Sequence, residues 1–145
     1  YDDLPLKAIL GILLFASFSA VALPMGLAYA LHMSNADIMA FATRAVTTPI
    51  AINIATLLEA PIQLVVLIVI LSGVVGAALS PLILKHINDE RASGLALGLA
   101  AHAIGTAQAW QRGSVAGRYA AFGMAVNAVF TAVWLPTFIL YLQKM

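Results

Sequence analysis

A chain of 145 residues, 63% of them apolar and only 9% charged, has the length of one ordinary domain but not its solvent. Soluble domains carry about 25% charged residues, and a domain this small has too little interior to hide so many apolar side chains. Seven Lys/Arg against six Asp/Glu leave a net charge of +1 and no basic stripe, and Cys is absent. The composition therefore excludes a soluble enzyme, a disordered tail and a nucleic-acid binder. It also excludes disulfides and thiolate metal sites. It points to an all-α integral membrane protein, read as one transmembrane domain over 1–145. The chain opens Tyr1-Asp2-Asp3 with no basic, cleavable leader, so it is expected to be a piece of something longer.

Charge-free stretches set the elements. Lys7 is followed by 29 uncharged residues, and further stretches of 25, 20 and 25 run over 60–84, 92–111 and 119–143. At 1.5 Å per residue, 25 residues of helix reach about 38 Å, more than a hydrocarbon core of about 30 Å. Segments near 6–31, 61–85 and 117–142 are expected to be single spanning helices, because backbone groups in lipid must bond within their own segment. Segments 37–58 and 92–111 are different. The first carries Arg44, Thr47, Thr48, Pro49 and Asn53; the second carries Gly94, Gly98, His102, Gly105 and Thr106. Proline removes a backbone donor, each glycine weakens a helix interior by about 1 kcal/mol, and an arginine at a bilayer centre costs roughly 2.5–3.5 kcal/mol. About five hydrophobic segments are thus expected, with 37–58 and 92–111 either re-entrant or broken while spanning.

The Lys/Arg distribution distinguishes these two topologies. If all five segments span, Lys7, Arg112 and Arg118 face Lys85, Arg91 and Lys144 across the membrane, three against three. If the two broken segments return to their own side, Lys7, Lys85, Arg91, Arg112 and Arg118 share a face and only Lys144 is opposite. The second count satisfies the positive-inside rule. It also makes the broken segments enter from opposite faces, an inverted arrangement whose polar tips can meet.

Val46–Ala51 places two hydroxyls directly before a proline. A helix beginning near Pro49 would turn its positive end, with Thr47 and Thr48, toward a carboxylate, and Arg44 lies one turn away. The competing reading is a tolerated kink, threonines bonded back to their own helix and a snorkelling arginine. His102, followed by Gly105 and Thr106, is either a ligand or proton carrier or a structural histidine bonded to a neighbouring helix. No metal site and no cofactor are expected: His32 and His86 lie at segment ends without a suitably spaced second ligand. Gly73, Gly76 and Ala77 suggest close helix packing. Trp110, Trp134, Tyr29, Tyr119 and Tyr141 suggest interfacial anchoring, with Trp134 deeper than the rest. Asp89 or Asn88 is expected to cap the helix that follows, and Asn127 to join helices. No triad, phosphate loop or carboxylate pair is present, so no enzyme is expected.

With those motifs placed, the chain resembles the CidB/LrgB family of membrane proteins. The likeness runs through TRAVTTPIA (43–51), SGVVGAALSPLIL (72–84), GLALGLAAHAIGTAQA (94–109) and VAGRYAAFGMA (115–125). The departures are Thr43-Arg44-Ala45 where the family usually reads Pro-Lys-Ser, Leu58-Glu59 for a common glycine pair, and Ala101 for a serine before the histidine. Family members are longer, and this chain is similar to their C-terminal portion. The resemblance implies a bacterial inner-membrane location rather than a plastid envelope. It implies self-association, and CidA/LrgA-type partners through which murein hydrolase activity and lysis are affected. A plastid relative exports glycolate and imports glycerate, and other members are linked to pyruvate. The implied activity is transport of short monocarboxylates, with Arg44, Thr47, Thr48, Pro49, His102, Gly105 and Thr106 carried over as site residues. A holin-like regulatory component and a purely structural helical subunit are the alternatives.

Overall fold

The structure, a computed structural model, describes residues 6–145; the opening Tyr1-Asp2-Asp3 lies outside them. The described residues form six helices: α1 (Leu6–Ala30), α2 (Asn35–Ala42), α3 (Thr48–Leu57), α4 (Ile62–Ile83), α5 (Glu90–Arg112) and α6 (Ser114–Leu142). Among the described residues, only α1, α4 and α6 are long and apolar enough to cross a membrane. Their outer surfaces carry bare side chains such as Phe15, Leu23 and Val133, each more than 60% exposed. Lipid is the only solvent in which such a girdle is stable.

The expected segment 37–58 is two short helices. Residues 43–47 between them are non-helical. At about 12 Å and 15 Å, α2 and α3 are each too short to reach across a bilayer. Ser34 caps α2, its hydroxyl accepting from the Asp37 amide at 3.2 Å. The start of α2 (Asn35, Ala36) and the end of α3 (Leu58, Glu59) line one pocket beside the end of α6. The chain therefore enters the bundle and leaves it at the same end. The turns after α1 and α3 close alike: His32 and Glu59 take left-handed backbones (φ 57° and 55°), and the next amides reach back five residues, to Ala28 and Ala55.

The α5 segment also doubles back. His102 has φ 48° and ψ −127°, which splits the helix into halves 90–101 and 103–112. A side chain added at Gly105 would run into the carbonyl of Leu97, eight residues earlier, and one at Gly113 would meet the Glu90 carboxylate at 2.8 Å. In one continuous helix, Glu90 and Gly113 would lie about 35 Å apart. The first half also lies on α6: Gly94 and Gly98, four residues apart, sit on the main chain of Ala116 and Ala120 with no room for a Cβ. The glycines that weaken this helix in isolation are what let it pack. Asp89 caps it as expected, accepting from the Arg91 amide at 2.8 Å.

The buried apolar side chains form two clusters. One joins α1–α4 and the end of α6 around Ile54, Val65 and Leu135; the other joins Leu84, Leu97, Ala109, Ala116 and Ala120. Ser17, Thr131 and Trp134 clasp α1 to α6 within this bundle, the hydroxyls 3.0 Å apart and the indole donating to Ser17 at 2.9 Å. Trp134 thus serves as an interhelical donor rather than the interfacial anchor its residue type suggests. Trp110 lies flat on Gly117.

Candidate functional site

The two interruptions meet. Thr47, Thr48 and Pro49 from the first and Ala101, His102, Ala103 and Ile104 from the second line one cavity of about 180 Å³, closed on a third side by Gly73 of α4. The small residues of α4 admit this contact. A Cβ at Gly76 would touch that of Ala101 at 3.0 Å, and one at Gly73 would come within 3.1 Å of Ile104. Gly73 therefore both packs and lines, while Gly76 packs.

Two helix beginnings open onto this space. The α3 helix starts at Thr48, one residue before the expected proline, with Pro49 in its first turn. Thr47 is its N-cap (φ −67°, ψ 151°), but the hydroxyl makes no capping bond and stays available. The amides of Thr48 and Ile50 have no partner within the helix, as at any helix start. The second half of α5 begins at Ala103, so its first amides and positive dipole end face the same cavity. His102 is 4% exposed, its ring abuts the main chain of Arg44, and its Nε2 has no partner. Buried polar atoms are normally satisfied, so an open one at a cavity wall is a place for a ligand.

Arg44 is placed differently from expectation. It is half-buried and lines two neighbouring cavities, of about 360 and 220 Å³, rather than the one shared by His102 and the threonines. Its main chain also meets the His102 ring, so one residue borders both sites. Among the described residues, no carboxylate lies within ion-pair distance of it. Asp37, Glu59, Asp89 and Glu90 all stand at or beside helix ends. A cation and two helix N-termini without an opposing acid make the middle of the bundle attractive to an anion.

The remaining expected residues are not at the cavity. Asn53 is exposed on α3. Gly105 is buried against Leu97 and Ala101, where it permits the hairpin rather than touching the cavity. Thr106 turns toward α6, its hydroxyl 3.7 Å from the Met124 sulfur. Thr43 bonds back to the Ala40 carbonyl at 2.9 Å, the behaviour weighed for Thr47 and Thr48. Asn127, expected to join helices, does so by holding the unwound chain: Nδ2 donates to the Ala45 carbonyl at 2.6 Å.

A further sequence signal lies outside the motifs singled out above. The two breaks align residue for residue: Arg44-Ala45-Val46-Thr47-Thr48 on His102-Ala103-Ile104-Gly105-Thr106, with Ala51 on Ala109. Each follows a long helix with an internal proline, Pro24 or Pro81. The similarity marks both tips.

Paired interrupted helices between long apolar ones define an integral membrane protein with a polar centre. Its relatives place it more narrowly. The sequence profile of the LrgB-like family matches residues 5–141, and the chain belongs to that family. It is 32% identical over 108 residues to YwbG of Bacillus subtilis, covering 73% of this chain and 48% of that protein. YxaC of the same organism is 36% identical over 95 residues, covering 64% and 41%. The holin-like protein CidB of Staphylococcus aureus is 31% identical over 99 residues, covering 67% and 43%. The chain thus matches less than half the length of these relatives. No solved structure matches it.

Proposed function

We propose that this chain belongs to a carrier of small monocarboxylates and 2-hydroxy acids in a bacterial plasma membrane, moving them without a chemical step. The observation that carries the reading is the cavity where two half-helix N-termini, two threonine hydroxyls and a buried imidazole with an open nitrogen converge in an otherwise apolar bundle. Thr47, Thr48 and the free amides bind the carboxylate, Pro49 fixes the helix start, His102 takes a substrate hydroxyl or a coupling proton, and Arg44 supplies the attracting charge. The α2–α3 and α5 segments are re-entrant hairpins entering from opposite faces. The meeting of Asn35 with Glu59 and of Glu90 with Gly113 supports this, as does the five-to-one Lys/Arg count.

Counterflow of labelled glycolate, glycerate or pyruvate in proteoliposomes tests the reading, with the chain alone and with a CidA/LrgA-type partner. Saturable exchange is expected. Thr48→Val and His102→Leu abolish it while the protein still folds, and His102→Gln removes its pH dependence. An unchanged pH profile takes the proton away from His102.

The name of the staphylococcal relative favours a second reading, a holin-like component without turnover that controls murein hydrolase activity and lysis with a small membrane partner. It predicts a passive, unsaturable leak that tolerates both substitutions.

A further inference from the structure

The second buried atom without a partner lies away from the threonines. Asn127, in the middle of α6, is 2% exposed. Its Nδ2 is used on the Ala45 carbonyl, and its Oδ1 has no partner. An asparagine that only joined helices would leave no dry carbonyl, because an unmet buried acceptor is costly. Asn127 also lines the cavity of about 220 Å³ that contains Arg44, with Ser19 of α1 and the end of the first α5 half at Leu99 and Ala100. This cavity shares no lining residue with the one holding Thr48 and His102.

The two polar groups have opposite needs. A guanidinium only donates, and an amide oxygen only accepts. A cation at Oδ1 is opposed by Arg44, and a plain anion answers Arg44 alone. A ligand that satisfies both carries an anionic oxygen pair and, one or two bonds away, a hydroxyl that can donate. We propose that Asn127 is a specificity-determining residue: its Oδ1 accepts from a hydroxyl on an anion held by Arg44, selecting hydroxy-carboxylates over equally small acids that lack a donor. This rests on the carrier reading; it adds a second point of contact for the same substrate, in a cavity apart from the His102 site, and leaves His102 the coupling proton.

Acetate, fluoroacetate and glycolate form the test series: one carboxylate with no substituent, with a fluorine that cannot donate and with a hydroxyl that can. Binding is measured by thermal shift and calorimetry on the purified chain in detergent, which requires no transport. Glycolate is expected to bind about tenfold or more tighter than the other two. Asn127→Leu removes that preference and leaves acetate affinity unchanged. Asn127→Asp sets a fixed carboxylate near Arg44 and weakens all three acids by about tenfold or more; it also gives up the bond to the Ala45 carbonyl, so its melting temperature is read beside the affinities. Equal binding of the three acids by the unaltered chain overturns the proposal without any variant. So does a wild-type preference that survives in Asn127→Leu; should that variant not fold, undiminished binding of all three acids by Asn127→Asp overturns it. Counterflow without selectivity removes this proposal and leaves the carrier reading; selective binding without counterflow removes the carrier reading and reduces Asn127 to part of a hydroxy-carboxylate binding site.

Discussion

Thr48 and His102 are legible in the sequence for one reason: a hydroxyl beside a proline and an imidazole among alanines have no place in a plain lipid-facing helix. Their contact across the bundle cannot be read from spacing, because it depends on how two hairpins pack on α4. The same limit explains Arg44. Sequence proximity puts Arg44 with Thr47 and Thr48, but the chain between α2 and α3 turns so that Arg44 lines the neighbouring cavities while its backbone meets the His102 ring. Arg44→Gln is therefore expected to raise the substrate KM several-fold while exchange persists, whereas Thr48→Val abolishes saturable exchange. Transport kinetics on the two variants separate these effects. Glu59 gives a stability prediction. It holds φ 55°, a left-handed backbone that costs a non-glycine residue roughly 1–2 kcal/mol. Glu59→Gly, which places a glycine at this turn, should raise thermal stability by up to about 1 kcal/mol, with glycine's larger unfolded-state entropy offsetting the remainder. A lower melting temperature for that variant contradicts strain at this position.

At the level of elements, the three long helices are plain from the gaps between charges, since lipid forces helix on any uninterrupted apolar stretch. The two broken segments are also visible, and their polar middles lie at the tips. What the composition conceals is the use of the glycines. Gly94 and Gly98 read as weak points of a helix, yet they are the surface that lets α5 lie on the backbone of Ala116 and Ala120. Each closes a contact in which a single methyl collides with main chain, and overpacking of this kind costs about 1–3 kcal/mol. Gly98→Ala is expected to destabilise the protein by that amount, and Gly98→Leu to prevent the hairpin from docking; thermal melts in detergent measure both. By contrast, a Cβ added at Gly11 or Gly26 on α1 would meet nothing within 4 Å. Replacing either by alanine should stabilise α1 slightly or leave it unchanged.

For the whole molecule, the alignment of Arg44–Thr48 on His102–Thr106, each after a long helix, repeats one plan; the proposed topology sets its two copies in opposite orientations. That plan depends on where the ends of each hairpin emerge. Because the sequence has no cysteine, single cysteines placed at 33, 59, 88 and 114 can each be labelled from either side of a sealed vesicle with an impermeant maleimide. Positions 33 and 59 should react from one face, and 88 and 114 from the other. Opposite-face labelling of 33 and 59, or of 88 and 114, would make that segment a crossing helix and would contradict the central claim that two hairpins enter from opposite sides and meet in the middle.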